Sequence, residues 1–120
     1  MSVCIYVDDF KVAVDFYSHV LGLEKSEDCG DNACFFLLSE NPQAIYLEGG
    51  CRRVEHSPDS TGISFMLVVD DAVEAYEELK EMGVTFIHDK PQEMGEGNYW
   101  FRFYDPAGNI LEIVSSADKQ

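Results

Sequence analysis

YVDDFKVAVDFYSHVLGLE (Tyr6–Glu24) and VVDDAVEAYEELKEMGVTF (Val68–Phe86) decide the fold, because the second stretch repeats the first in order. Each begins with a β-like start and a Val-Asp-Asp, continues through a helical pattern and closes on a glycine. Val7, Asp8 and Asp9 match Val69, Asp70 and Asp71, and Gly22 matches Gly83 once one residue is dropped. Asp9 and Asp71 have the chemistry of N-caps, and Glu74 stands where a capping box needs a carboxylate. Ala13, Phe16, Tyr17 and Val20 recur at helical spacing, as do Ala72, Ala75, Tyr76 and Leu79. Gly22 and Gly83 stop the helices by accepting the left-handed conformation.

The echo continues downstream. NPQAIYLEG (Asn41–Gly49) aligns without a gap on DPAGNILEI (Asp105–Ile113), which sets Glu48 opposite Glu112. Apolar runs broken by turn residues, FFLLSENPQAIYL and YWFRFYDPAGNILEIV, supply strands after each helix. Each half therefore reads β-α-β-β-β. The expected fold class is α+β: two such modules forming a strongly curved, incompletely closed, barrel-like sheet with helices outside. Residues 1–50 form the first module, 51–62 a Gly/Ser/Pro-rich linker and 63–118 the second module, within one structural domain. One helix cannot cover the apolar face of its sheet, so a ligand belongs in the concavity that two modules create.

The 120 residues carry 23 acidic and 8 basic side chains, a formal net charge of −15. A field of that sign repels nucleic acid and anionic membrane surfaces and attracts cations. No apolar run reaches the ~18 residues of a membrane helix. The start of the chain, MSVCIYVDDF, lacks the pattern of a secretory signal, so the cytoplasm is the expected compartment. Cys4, Cys29, Cys34 and Cys51 show no metal-ribbon spacing, and buried reduced thiols are expected. Cys4 and Cys34 fall within expected strands as small hydrophobes.

YVDDFKVAVDFYSHVLGLE resembles the opening signature of the vicinal oxygen chelate superfamily, and FRFYDPAGNILEIV (Phe101–Val114) resembles its closing signature. That superfamily includes glyoxalase I, extradiol dioxygenases, fosfomycin-resistance enzymes and bleomycin-resistance proteins. The resemblance implies a divalent metal in its enzymes, held from the first and last strands of each half. Carried over, the first-strand positions fall on Ser2 and Ser64, neither of them a good metal ligand. The final position falls on Glu112, and the remaining one on either Tyr46 or Glu48, which alternation places on one face. His19 on the first helix, His56 in the linker and His88, just past a short expected strand in the second half, lie at none of these positions. No cofactor is therefore expected, with a divalent metal on Glu48 and Glu112 as the fallback.

Alternation also nominates the pocket lining. Val3, Ile5 and Val7, like Ile63, Phe65 and Leu67, should meet the helices. Ser2, Cys4 and Tyr6 then face inward, as do Ser64, Met66 and Val68. Trp100, Arg102, Tyr104, Ile110, Glu112 and Val114 follow by the same parity. The ligand-binding candidates are Tyr6, Tyr46, Glu48 and Ser64, together with Met66, Trp100, Arg102 and Glu112. Aromatic walls with carboxylates suit a flat or cationic organic molecule, although Arg102 could equally neutralise Glu112 internally.

The resemblance, with the missing histidines and the acidity, implies a metal-free small-molecule-binding protein of the bleomycin-resistance type. It would act as a homodimer, with antibiotic sequestration as one form of the role. The alternative is a lyase- or isomerase-type enzyme using Glu112 and Glu48 as weak metal ligands, or one of them, with Glu112 the candidate, as general base. A third reading, an acidic module for a basic protein partner, rests on charge alone.

Overall fold

The structure, a computed structural model, describes residues 2–37, 44–51 and 63–115. The elements run β1 (Ser2–Tyr6), α1 (Phe10–Asp15), β2 (Glu24–Asp28), β3 (Ala33–Leu37) and β4 (Ala44–Glu48) in the first half. In the second half they run β5 (Ile63–Val69), α2 (Ala72–Glu81), β6 (Gln92–Gly95), β7 (Asn98–Tyr104) and β8 (Ile110–Ser115). The fold is α+β, with two four-stranded mixed sheets ordered β1-β4-β3-β2 and β5-β8-β7-β6. In each, the first strand runs parallel to the last, and the other pairings are antiparallel. The described residues form two compact units. The first holds β1–β4, α1 and residues 106–109; the second holds β5–β8 and α2.

Both helices start as their sequences dictate. Asp9 accepts from the Val12 N–H at 3.2 Å, and Asp71 accepts from the Glu74 N–H at 3.1 Å. Gly22 and Gly83, with φ of 73° and 83°, follow the helical segments. Beyond Asp15 the first helix widens into a π-helical turn, Phe16–Val20, in which the Leu21 N–H reaches the Phe16 carbonyl. The wider turn carries the adjacent Phe16 and Tyr17 both into the core, their rings edge to face at 5.4 Å.

Each helix covers one face of its own sheet. In the first unit Tyr17 packs on Phe36, with Ile5, Val7, Ile45 and Leu47 buried around them. In the second, Tyr76, Phe86, Phe101 and Phe103 form an aromatic cluster, with Tyr76 and Phe86 stacked at 4.1 Å. Burying such side chains is worth about 1.5–3 kcal/mol each and holds the helix on the sheet. The opposite face of each sheet is left open and carries the candidate site residues.

Four expectations need correction. Cys34 is buried, but Cys4 lies exposed on the open face, because residues of one strand parity follow Tyr6 and not Ile5. Cys29 is also exposed. The short strand expected before His88 is only a single bridge, Phe86 to Phe103, and the edge strand is β6. In β5 the ladder slips between Ile63 and Phe65, so Ile63 pairs with Ile110 and strict alternation does not extend to Ser64. The expected linker lies, apart from Cys51, outside the described residues.

Candidate functional site

In the first unit, β4 places Tyr46 between Cys4 of β1 and Phe35 of β3, and Glu48 between Tyr6 and Ala33. Residues paired across a ladder share a face, so Tyr6, Phe35, Tyr46 and Glu48 line the open side. The Tyr46 hydroxyl donates to Glu48 Oε1 at 2.8 Å, and the Phe35 and Tyr46 rings lie 5.1 Å apart. Donating to Glu48, and to a lesser degree losing solvent, pushes the Tyr46 phenol up to about 12. It is thus a neutral donor at ordinary pH. Glu48 keeps its second carboxylate oxygen free of hydrogen bonds among the described residues. Tyr6 is 47% exposed.

In the second unit the register sets Arg102 directly across from Glu112, and Met66 beside Glu112 on its other flank. Arg102 Nε donates to Glu112 Oε1 at 2.8 Å, with the two side chains 25% and 13% exposed. The guanidinium carbon lies 4.9 Å from the Trp100 ring centroid, a cation–π contact. His88 meets the Trp100 ring edge to face at 5.3 Å. Its buried Nδ1 has no hydrogen-bond partner among the described residues. Glu112 therefore has a partner: the carboxylate in the apolar strand faces a guanidinium.

The ladders also decide between Tyr46 and Glu48. With the N-caps Asp9 and Asp71 matched, Cys4 corresponds to Met66. Cys4 stands beside Tyr46, whereas Met66 stands beside Glu112. Tyr46 is therefore the structural counterpart of Glu112, and Glu48 is the counterpart of Val114. The ungapped repeat that set Glu48 opposite Glu112 is displaced by two residues in β4. Two residues preserve the face, which is why alternation alone could not expose the error.

These residues do not suit a divalent metal. The four positions that the repeat makes equivalent are Ser2, Tyr46, Ser64 and Glu112. Two are serines by type, the Tyr46 phenol donates to Glu48, and Glu112 Oε1 already accepts from Arg102. No cluster of three His, Cys, Asp or Glu side chains arranged for a metal occurs among the described residues. Among these residues, too, no helix is long and apolar enough to cross a membrane.

Of the sequence candidates, Tyr6, Tyr46 and Glu48 come together in the first unit. Met66, Trp100, Arg102 and Glu112 come together in the second, with Ser64 at the ladder irregularity. Phe35 was missed. It sits in ACFFL, where two adjacent phenylalanines must face opposite ways, and pairing with Tyr46 assigns this one to the open face.

The model of the Glyoxalase/Bleomycin resistance protein/Dioxygenase superfamily matches residues 2–113. An uncharacterised protein of Bacillus subtilis strain 168, YurT, is 33% identical over 120 residues, 92% of this chain and 93% of the relative. A superfamily member from Sphaerobacter thermophilus superposes with a TM-score of 0.74 at 28% identity, covering 96% of this chain and 94% of that one. Lactoylglutathione lyase from Agrobacterium tumefaciens gives a TM-score of 0.72 at 23% identity, over 97% and 92% of the two chains, a likeness of fold. The repeat, the paired βαβββ units and the family match over nearly the whole length agree: this chain belongs to the glyoxalase/bleomycin resistance protein/dioxygenase superfamily.

Proposed function

We propose that this protein binds a small organic cation with an aromatic or apolar body, without a resident metal, on the open face of its first sheet. The observation that carries this reading is Glu48 flanked by Tyr6 and hydrogen-bonded by Tyr46, with Phe35 packed on Tyr46 and the second Glu48 oxygen left to a ligand. Three aromatic rings offer faces for cation–π attraction, and the carboxylate supplies the counter-charge. The Tyr46 hydrogen bond fixes Glu48 in place before the ligand arrives, which lowers the entropic cost of binding. The net charge of −15 draws cations towards the surface at long range.

The second unit supports a metal-free role from another direction. Arg102 supplies the positive charge that Glu112 would otherwise find in a metal ion. Sequestration of a ligand by a homodimer, as in the bleomycin-resistance members, fits this chemistry better than catalysis. The lyase or isomerase alternative rests on the Glu112 oxygen that makes no hydrogen bond among the described residues.

Benzyltrimethylammonium is a suitable probe, with its neutral isostere neopentylbenzene as control. Calorimetric titration should show binding of the cation that weakens about tenfold in Glu48→Gln, the size expected for one desolvated charge contact. Equal affinity in wild type and Glu48→Gln would remove the first sheet from the reading. Sedimentation of the same sample should give a dimer mass.

A further inference from the structure

The second open face has a different chemistry. Arg102 is the only lysine or arginine in its four strands. A guanidinium carries five N–H donors in a rigid plane. Here Nε is committed to Glu112, and the Trp100 ring stacks against the group at 4.9 Å. Those two contacts fix the plane, and the four N–H bonds of Nη1 and Nη2 make no hydrogen bond among the described residues. The side chain as a whole is 25% exposed.

Apolar surface stands two strands away, on the far side of β8. Met66 is 52% exposed and Val68 is 61% exposed, and the β5–β8 register sets them beside Glu112 and Val114. β5 and β7 flank β8 and so lie about 9.6 Å apart, and a benzene ring seated on Met66 and Val68 directs its substituent across β8 to meet the extended Arg102 side chain. Exposed Met and Val gain by losing water to such a ring.

We propose that this face is a second binding site, for an aromatic monocarboxylate whose two oxygens accept from Nη1 and Nη2 of Arg102. Fork-to-fork geometry suits a carboxylate, and a guanidinium held in advance by Glu112 and Trp100 loses little freedom on binding it. Ligand charge is limited from the other side. Glu112 is adjacent, and the protein carries −15 overall, so repulsion grows with each added negative charge and disfavours a dianion. This site takes the opposite charge from the first-sheet site and does not depend on it.

Trp100 is the single tryptophan of the chain and lies against Arg102, so its fluorescence reports on this site. Benzoate should change it saturably, whereas benzamide and phenylphosphonate should bind at least about tenfold more weakly. Arg102→Gln should lose benzoate by a similar factor. Arg102→Lys, which keeps the charge but not the fork, should fall in between. Glu112→Gln still accepts from Nε but removes the negative neighbour, and should bind benzoate more tightly than wild type.

Far-UV circular dichroism checks that each variant folds, and Arg102→Lys carries the test if Arg102→Gln does not. Benzamide binding as tightly as benzoate, an unchanged affinity in both Arg102 variants, or no saturable response to benzoate would each overturn the proposal. Retained binding of benzyltrimethylammonium in the same preparation would confine that failure to the second site.

Discussion

Where each helix starts over the end of its last strand, the two units solve one packing problem in opposite ways. In the first, the leading helical residue is Phe10 and the residue beneath it, just past β4, is Gly49. A Cβ on Gly49 would come within 2.5 Å of Phe10 Cβ and 2.7 Å of Asn32 Oδ1. In the second, the counterparts are Ala72 and Ser115, and the buried Ser115 hydroxyl accepts from the Ala72 N–H at 3.1 Å. A large residue on glycine fills the space in one unit; a small residue on serine fills it in the other and adds a hydrogen bond. The open faces differ in the same spirit. Tyr46 and Glu112 are equivalent in register, yet one donates to a carboxylate along its own strand and the other pairs with a guanidinium across strands. The repeat preserves the frame, and the side chains on it have separated in chemistry.

The largest test of that comparison asks whether the cores have remained equivalent. Phe36 and Phe103 are equivalent in register and both fully buried. Truncating either to alanine should cost about 3–5 kcal/mol in urea unfolding. Similar losses would show equivalent cores, and a large difference would show that the two cores have diverged. Next, Gly49→Ala should cost about 1–3 kcal/mol, because Phe10 Cα, at 3.1 Å from the added Cβ, belongs to the backbone and cannot simply rotate away. A neutral outcome would mean that the helix start can shift. Ser115→Ala adds no bulk but leaves the Ala72 N–H unpaired, and should cost about 1 kcal/mol.

The smallest effect is in the pH dependence. The Tyr46 phenol is held above its ordinary value near 10, at about 12, by the hydrogen bond to Glu48. A raised folded-state value gives stability that is complete below pH 10 and lost as pH rises towards 12. Unfolding of wild type and Tyr46→Phe should therefore differ most below pH 10 and converge above it. A difference that persists unchanged to pH 12 would contradict the Tyr46–Glu48 contact.

Much of the fold was legible because its signals are local. Asp9 and Asp71 cap as their positions suggest, and parity separated Ile5 and Val7 from Tyr6. The edge strands were less visible. β2, EKSED, is exposed throughout, and β6, QEMG, nearly so, which leaves no apolar alternation to detect. The π-helical turn at Phe16–Val20 depends on tertiary demand for both Phe16 and Tyr17. Glu112 raised the question of its partner from sequence, but Arg102 could be chosen over a ligand only once the β7–β8 register was known. The slip between Glu48 and Tyr46 had the same cause: two residues in register leave the face unchanged and no periodic trace.

Metal independence is tested by a calorimetric titration of chelator-treated protein with benzyltrimethylammonium, repeated after addition of Ni²⁺, Zn²⁺ or Mn²⁺. A metal-free cation site should give the same affinity in every case and no stoichiometric uptake of metal. Stoichiometric metal that is lost in Glu112→Gln, or cation binding that requires metal, would contradict it and place Glu112 in a metal site.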